Sequence, residues 1–434
     1  MRVGDASLVA HMTPPPRRAG RAAIFSWCLF DWAGSAFNTI VVTFVFATYF
    51  VRAVAPDPVS GTAAWATAQT AAGLTIALAA APLGAVADRG GSGRVLLGVC
   101  TALLVACTAA LWFVRPRATD APMALALVAG ATVAFEVAFV FYNAMLPDIA
   151  GPARLGRVSG LGWGMGYAGG IVCLGLCLVL LIDPRPPFFG LSGAQAEPVR
   201  ATALFASAWI AIFALPLLAL APAPVRRAPW RTALRQGLRT LGASLRAAAA
   251  DRVLRRFLVA RMLYTDGLNT LFAFGGIFAA GTFGMGARQV LLLGIALNVT
   301  AGIGAAGFAL MQDRIGDRTT VLVAVGALAG IGALVLLARS ASVFWVLALG
   351  LGLFVGPAQS ASRSLMARLA PEDTRNAHFG LYALSGRVTG FVGPAALGAV
   401  TAAFASQRAG MAVVVALLAS GWVLLATASI DAVG

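Results

Sequence analysis

Charged residues are scarce in this 434-residue chain: they make up 11% of it, and lysine is absent. In an average soluble protein about a quarter of the residues are charged. This chain therefore has too few charges to cover the two or three soluble domains that its length would otherwise form. Hydrophobic residues reach 60%, and the mean hydropathy is +0.86. Lipid is the expected solvent for most of the surface, and disordered, collagen-like and disulfide-rich secreted proteins are excluded.

Histidine and cysteine are also sparse, which leaves little material for metal or redox chemistry. There are two histidines, His11 and His378, and five cysteines that form no CxxC pair. All five cysteines lie inside apolar runs, where the expected role is a small buried side chain, although a disulfide or metal role stays open. We find no Walker loop, HExxH motif or Ser-His-Asp set, so neither a cofactor nor an enzymatic activity is expected.

What the chain does contain is a series of apolar stretches of about 20 residues or more, each long enough to cross a bilayer. Residues 1–22, with three consecutive prolines, are expected to be a disordered cytoplasmic tail without a cleavable signal peptide. The pattern predicts an all-α polytopic membrane protein. The twelve predicted spans are 25–51, 62–87, 94–114, 121–146, 157–182, 201–221, 256–283, 288–311, 319–338, 342–366, 377–404 and 408–430.

The basic excess is explained by topology. The chain has 32 basic and 16 acidic residues, and every basic residue is an arginine. With the N-terminus inside, the predicted inner segments contain 21 arginines and the outer loops contain eight. By the positive-inside rule this distribution predicts the cytoplasmic (inner) membrane with both termini cytoplasmic, and it replaces nucleic-acid binding as the explanation of the charge.

The longest predicted inner loop, 222–255, has a helical pattern of its own. Apolar residues recur every three or four positions, beside a row of arginines, so an amphipathic cytoplasmic linker is expected. Residues 226–256 are expected to rest on anionic lipid of the inner leaflet, and a regulatory or partner-binding role is the alternative. The apolar positions are Trp230, Leu234, Leu238, Leu241 and Leu245, and the arginines are Arg227, Arg231, Arg235 and Arg239.

An internal repeat divides the chain into halves. At a shift of 224 residues, prolines and glycines coincide, and Asp88-Arg89 matches Asp313-Arg314 at a shift of 225. The shift carries the second span onto the eighth and the fifth onto the eleventh. Two pseudo-symmetric six-helix bundles are therefore predicted, over 23–221 and 256–434, as in two-bundle transporters. The pairs that coincide include Pro147 with Pro371, Gly156 with Gly380, Gly162 with Gly386, Gly166 with Gly390, and Gly169 with Gly393.

The loop after the second predicted span has a recognisable signature. The sequence Gly84-Ala85-Val86-Ala87-Asp88-Arg89-Gly90-Gly91 resembles the loop signature of the major facilitator superfamily, and Asp313-Arg314-Ile315-Gly316 is its copy in the second half. The resemblance implies a gating loop that acts as a conformational latch for the outward-open state. Simple capping of helix ends is the alternative. The gating-loop residues are Gly84, Asp88, Arg89, Asp313, Arg314 and Gly316.

Five longer phrases support a narrower resemblance that covers nearly the whole chain. They are residues 30–37 (FDWAGSAF), 141–148 (FYNAMLPD), 156–163 (GRVSGLGW), 264–270 (YTDGLNT) and 379–386 (FGLYALSG). Together they resemble the vacuole-effluxer-like branch of the superfamily, which contains fungal autophagy-related vacuolar amino-acid exporters. The resemblance implies the twelve-helix major facilitator fold and alternating access, and it leaves the substrate open.

Ionisable groups within the predicted spans mark the candidate site. Each costs roughly 2.5–3.5 kcal/mol at the bilayer centre, so each must pair or face water. Asp31 and Arg261 lie nearer the predicted cytoplasmic ends, where reaching the interface is the simpler explanation. Glu136, Asp266 and Arg387 lie near mid-span. In the superfamily, spans 1, 4, 7 and 10 line the cavity. The predicted substrate- and proton-binding residues are Asp31, Asn38, Glu136, Asn143, Asp266, Asn269, Gln359 and Arg387.

These residue types suit a small polar solute. Arg387 offers a fork to a carboxylate, while Asp266 is expected to pair with Arg387 or with a substrate ammonium group. Glu136, next to Phe135 and Val137, is the candidate proton carrier, since apolar surroundings favour a protonated carboxyl group. The predicted function is a monomeric, proton-coupled secondary transporter of an amino acid or related zwitterion or organic anion, with efflux favoured. A lipid or lipid-linked precursor translocase and a channel are the alternatives.

Overall fold

The computed structural model describes residues 20–182, 190–191, 193–220, 229–387, 389–390 and 392–428, and within these residues the chain is helical without strands. Ten helical stretches are long and apolar enough to cross a membrane. They are span 1 (Arg21–Val54), span 2 (Ser60–Gly90), span 3 (Gly93–Phe113), span 4 (Ala118–Ala150), span 5 (Pro152–Ile182), span 6 (Glu197–Leu220), span 8 (Leu292–Ile315), span 9 (Asp317–Leu337), span 10 (Ala341–Leu369) and span 12 (Gln407–Ala426).

Two further elements complete the predicted twelve spans. Span 7 is the helix Arg252–Phe283, and span 11 consists of two helices, Arg375–Ser385 and Val392–Phe404. The sequence determines where span 7 begins and ends. Asp251 accepts hydrogen bonds from the second and third backbone N–H groups of the helix at 2.8 and 3.1 Å, and Gly284 ends the helix at φ +66°. The predicted fold class is confirmed: twelve helices form two six-helix bundles.

The inter-bundle contacts follow the internal repeat. Span 2 packs against span 11, and span 5 packs against span 8. The repeat carries span 2 onto span 8 and span 5 onto span 11. The contact between spans 2 and 11 and the contact between spans 8 and 5 are therefore equivalent under the repeat. Glycine brings the backbones together in both. A Cβ built on Gly380 would lie 2.5 Å from Ala81 Cα, and one built on Gly160 would lie 2.9 Å from Ala309 Cα.

Several spans depart from the predicted continuous α-helices, and span 5, for example, ends in π-helical winding over Leu178–Ile182. Span 1 changes to π-helical winding over Phe37–Phe44 and again over Phe50–Val54. Span 11, predicted as one helix over 377–404, is broken between Ser385 and Val392. The helix of span 1 begins at Arg21, within the last two residues of the predicted tail 1–22. Residues 1–19 of that tail lie outside the described part of the chain.

The predicted linker contains the helix Trp230–Ala250, which docks on span 2. A Cβ built on Gly237 would lie 2.9 Å from Val86 Cα, and Ala233 is fully buried. Small residues therefore form this contact, while Leu234 of the predicted apolar stripe is exposed. The exposed arginines of this helix include Arg231, Arg235 and Arg239. The remaining predicted positions lie outside the described part of the chain: Arg227, and the side chains of Trp230, Leu238, Leu241 and Leu245. The domain boundaries and the lipid contact stay predictions.

Candidate substrate-translocation site

A buried ion pair joins the two bundles. Arg363 of span 10 donates through Nη1 to Asp31 Oδ2 of span 1 at 2.9 Å, and the two side chains are 3% and 8% exposed. Tyr142 donates its hydroxyl to the same Asp31 oxygen at 2.7 Å. Ser159 accepts from Arg363 twice, through its hydroxyl at 2.9 Å and its backbone carbonyl at 2.6 Å. Each nitrogen of the guanidinium is thus hydrogen-bonded, mostly by residues of the opposite bundle.

Aromatic rings enclose this pair. The guanidinium of Arg363 lies 4.6 Å from the ring centroid of Trp27, with Tyr142 and Trp163 at 5.6 and 5.7 Å. A cation against aromatic faces is attracted to them most strongly where water is excluded. Gly162 makes room for the pair, since a Cβ there would lie 2.6 Å from Asp31 Oδ2. We call Asp31, Tyr142, Asn143, Ser159 and Arg363 the buried tier.

The sequence prediction for this region was incomplete. Asp31 was expected to reach the interface, but its side chain is enclosed between the bundles. Arg363 was not among the predicted site residues. It lies three residues from the predicted end of the tenth span, where an arginine usually extends to the membrane surface. The available signal was the polar run from Ser360 to Ser364 inside an apolar span. Asn143 is placed in this tier as an acceptor from Arg363 Nη1 at 3.4 Å.

A second ion pair between the bundles is open to solvent. Arg387, in the break of span 11, donates through Nη2 to Glu136 Oε1 of span 4. The side chain of Arg387 is 39% exposed and that of Glu136 is 21% exposed. The expected pairing of Arg387 with Asp266 is therefore wrong, and Glu136 is less enclosed than expected. The rings of Phe135 and Phe139, whose centroids are 4.5 Å apart, flank Glu136 on its helix. We call Glu136 and Arg387 the open pair.

The two pairs lie at different depths. Asp31 and Asn38 are seven residues apart on span 1, and so are Glu136 and Asn143 on span 4. Seven residues are two helical turns, so each couple shares a face and is separated by about 10 Å along its helix. Span 4 runs antiparallel to span 1, which places Asn143 beside Asp31 and Glu136 toward the level of Asn38.

Three predicted amide side chains stay available for a ligand. Asn38 and Asn269 are exposed, and Gln359 is half-buried. Among the described residues none of the three has a hydrogen-bond partner for its side chain. Asn269 is three residues from Asp266 and therefore lies on the same face of span 7. Amide groups in this state can donate or accept.

The other two predicted ionisable groups are held inside the C-terminal bundle. Asp266 is 3% exposed, and its Oδ2 accepts from the backbone N–H of Gly393 at 2.9 Å. Arg261 donates to the carbonyl of Tyr382 and to the hydroxyl of Ser385, both at 2.7 Å. Its guanidinium lies 3.5 Å from the ring centroid of Tyr382. Arg261 thus bonds inward, contrary to the expectation that it reaches the interface.

The two gating loops make equivalent contacts. Asp88, in the N-terminal bundle, accepts from the backbone N–H groups of Asn376 and Ala377 at 3.0 and 2.9 Å. Asp313, in the C-terminal bundle, accepts from those of Gly156 and Arg157 at 2.8 and 3.2 Å. Each carboxylate thereby caps a helix of the opposite bundle, at the start of span 11 or of the helix Leu155–Cys177. We call these contacts the two latches, and the side of the molecule on which they lie the latch face.

The other gating-loop residues serve the latches in different ways. Gly84 packs on the backbone of span 11, since a Cβ there would lie 2.8 Å from the backbone nitrogen of Ala377. Gly316 has φ +86° and separates span 8 from span 9. Arg89 and Arg314 are exposed. In each Asp-Arg pair, therefore, the aspartate makes the inter-bundle contact.

Comparison with known proteins agrees with this geometry. Residues 62–432 match the family described as vacuole effluxer Atg22 like. An uncharacterized MFS-type transporter of Bacillus subtilis, YxiO, is 28% identical over 388 residues, which are 87% of each chain. Autophagy-related protein 22-2 of Emericella nidulans is 27% identical over 284 residues, 58% of this chain and 48% of that protein. The match therefore spans about half the length of this fungal relative.

Solved structures show the same fold. The proton:xylose symporter XylE superimposes with a TM-score of 0.72 at 10% identity, covering 93% of this chain and 94% of the other. The human organic anion transporter MFSD10 superimposes with a TM-score of 0.68 at 16% identity, covering 95% and 100%. At these identities the similarity concerns the fold alone.

Proposed function

Because the chain belongs to the vacuole effluxer Atg22-like family of major facilitator transporters, we propose that it moves a small carboxylate-bearing solute by proton-coupled alternating access. An amino acid, a related zwitterion or an organic anion is the solute class. The observation that carries this proposal is the open pair. It is a solvent-accessible guanidinium between the bundles whose carboxylate partner can be replaced by a carboxylate of the solute.

Recognition and proton coupling follow from one exchange. A guanidinium binds a carboxylate in a two-pronged geometry that an ammonium group cannot reproduce. A solute carboxylate on Arg387 displaces Glu136, which is left beside Phe135 and Phe139. A carboxylate without its partner in such surroundings takes up a proton more readily. One proton then accompanies each solute. The side-chain oxygens of Asn38 and Asn269 are suited to an ammonium group of a zwitterion.

Alternating access requires the latch face to open. In this structure both latches and the buried tier hold that face closed. Opening it separates Asp88 and Asp313 from the helices they cap, and Arg363 from Asp31. With the predicted orientation, in the inner membrane and with cytoplasmic termini, the closed face is the cytoplasmic one.

The direction of transport follows from the same exchange. Since the proton and the solute bind together, the solute leaves the more acidic compartment. This is efflux from a compartment that is acidic inside, as the family description of a vacuole effluxer implies, and it is uptake across a membrane whose outer side is the more acidic.

Transport by purified protein in proteoliposomes tests the proposal. Amino acids and organic anions are screened by counterflow, which is saturable for a carrier and absent for a channel, and a pH gradient of either sign is then imposed. Wild-type protein should accumulate solute in the less acidic compartment. Arg387→Lys should lose at least tenfold in solute affinity, since one bidentate contact is replaced by a point charge at a cost of about 1.4 kcal/mol or more.

Glu136→Gln separates binding from coupling. This variant should retain counterflow and lose its response to the pH gradient. The exposed Arg52→Lys is the matched control and should behave as wild type. Wild-type affinity in Arg387→Lys, or an unchanged pH response in Glu136→Gln, would contradict the proposed roles.

A further inference from the structure

Two neighbouring oxygens on span 7 are buried without a hydrogen-bond partner. Asp266 and Thr270 are one helical turn apart and are 3% and 0% exposed. Among the described residues, neither Asp266 Oδ1 nor Thr270 Oγ1 has a partner. Buried polar oxygens are almost always satisfied in native proteins, and an unsatisfied carboxylate oxygen in a membrane protein is especially unfavourable. Two such oxygens on one helix face therefore call for a ligand.

Both oxygens converge on one glycine. A Cβ built on Gly393 of span 11 would collide with Thr270 Oγ1 and would lie 3.0 Å from Asp266 Oδ1. The backbone N–H of the same residue donates to the other oxygen of Asp266. Span 11 thus presents a glycine where any side chain would clash with the two oxygens.

The two halves of the internal repeat differ in structure at Gly393. Gly393 coincides with Gly169 of span 5, which packs on span 1: a Cβ there would lie 2.5 Å from the carbonyl oxygen of Trp32. The helix around Gly169 is continuous from Leu155 to Cys177. Span 11 is instead broken just before Gly393. In transporters built from repeats, broken helices supply ion sites from carbonyl oxygens and helix ends. A departure from the repeat that brings a buried carboxylate to a helix break therefore indicates ion binding.

We propose that Asp266 Oδ1 and Thr270 Oγ1 bind a sodium ion in front of Gly393, with backbone carbonyl oxygens or water completing its shell. Hard cations take carboxylate, hydroxyl and carbonyl oxygens. A single carboxylate balances a single positive charge, which favours a monovalent ion. The close approach of Gly393 to both oxygens favours a small ion over potassium.

The neighbouring charges leave this carboxylate to the ion. Arg387, six residues before Gly393, is bonded to Glu136, and Arg261, five residues before Asp266, is bonded to Tyr382 and Ser385. The sodium site is distinct from the proton carrier and goes beyond the proposed function. Because Asp266 also caps the helix Val392–Phe404, sodium fixes the start of the segment that follows Arg387.

Thermal unfolding of the purified full-length protein without any solute tests the site. NaCl is titrated against choline chloride at constant ionic strength and pH, and KCl is titrated in parallel. The wild-type Tm should rise with sodium and saturate, because a ligand that binds only the native state stabilises it. Potassium should have no such effect. Asp266→Asn, Thr270→Val and Gly393→Ala should lose the sodium response, and Thr270→Ser should keep it.

Matched controls lie in the same region. Thr401 Oγ1 is also buried without a partner among the described residues, but it faces Gly410, and residues 392–410 around it contain no aspartate or glutamate. Gly398 has open space around it. Thr401→Val and Gly398→Ala should therefore retain the sodium response.

Three results would overturn the site. They are an equal rise in sodium and potassium, a sodium response that survives in Asp266→Asn, and a Tm that responds to pH but not to sodium. Direct binding of radioactive sodium to the wild type keeps the test decisive if a variant does not fold, since the absence of binding also overturns it. No measurement here involves solute transport, so this site and the proposed function fail independently.

Discussion

The ion pair of the buried tier and the open pair are two of the three ion pairs that join the bundles in the described part of the chain, and they have the same polarity and different surroundings. In both, the N-terminal bundle provides the carboxylate and the C-terminal bundle provides the guanidinium. The side chain of Arg363 makes four hydrogen bonds and is almost completely enclosed, whereas within the described residues that of Arg387 makes one, to Glu136, and is 39% exposed. The enclosed pair cannot exchange its partner without moving the bundles apart, while the exposed pair can exchange its partner with the bundles in place.

This difference in surroundings implies a difference in energy and in role. Removing one member of a buried pair leaves an uncompensated charge and costs about 3–5 kcal/mol. An exposed pair is screened by water and contributes about 0–1 kcal/mol. We therefore expect the buried tier to determine which face is closed, and the open pair to determine what binds.

The largest expected effect is that of Asp31→Asn. It leaves Arg363 buried without a carboxylate and should lower the free energy of unfolding by about 3–5 kcal/mol, measured by denaturant titration in detergent. Asp148→Asn is the matched control, because Asp148 forms an ion pair with Arg375 between the bundles but is 55% exposed. The control should change stability by about 0–1 kcal/mol.

The double variant Asp31→Asn/Arg363→Met separates charge from packing. It should recover most of the loss, since no unpaired charge remains and Met fills a similar volume. If the double variant is as unstable as Asp31→Asn alone, the effect comes from packing around Trp27 and not from the charge.

The role of Arg363 as the partner of Asp31 could not be predicted from the sequence. Asp31 is visible as an acid in an apolar span, and its cost in lipid requires a partner. That partner is 332 residues away in the chain, and no local pattern indicates it. Periodicity places Asp31 on a helix face, but the contact between the faces of spans 1 and 10 arises only when the bundles pack.

The two latches sharpen the comparison, because they hold the same face closed with carboxylates that bind backbone N–H groups instead of arginine. Asp88→Ala and Asp313→Ala should each weaken closure by about 0.5–2 kcal/mol, as expected for loss of a helix cap. Since the two latches are copies at separate places, their effects should add in the double variant. The exposed Glu372→Gln should have no effect.

Spin labels at exposed positions 153 and 373, in a background without the native cysteines, report the distance across the latch face. A wider distance should become more populated in each single variant and most populated in the double variant. An effect of Asp88→Ala without a matching effect of Asp313→Ala would show that the latches are not equivalent, whatever their geometry.

The fold was more predictable than the site, for a physical reason. Apolar length and the repeat of prolines and glycines are local or periodic, so the twelve spans and the two bundles follow from them. The break in span 11 does not. Gly162 and Gly166 have the same spacing as Gly386 and Gly390, yet the first two lie in a continuous helix and the last two lie in the break. Span 11 differs from span 5 in its contact with span 7, where Asp266 accepts a hydrogen bond from the backbone N–H of Gly393.

The smallest expected effect on stability is that of Glu136→Gln, and it decides whether the two ion pairs differ in kind. The single variant should change the free energy of unfolding by about 0–1 kcal/mol, because water already screens the open pair. A double-mutant cycle with Arg387→Gln measures the coupling directly and should give a similarly small value, whereas Asp31 and Arg363 should couple by several kcal/mol in the same protein. A coupling as large as that of the buried tier would mean that Glu136 is fixed on Arg387 by the fold. In that case a solute carboxylate could not displace Glu136, and recognition would have to begin elsewhere in the cavity.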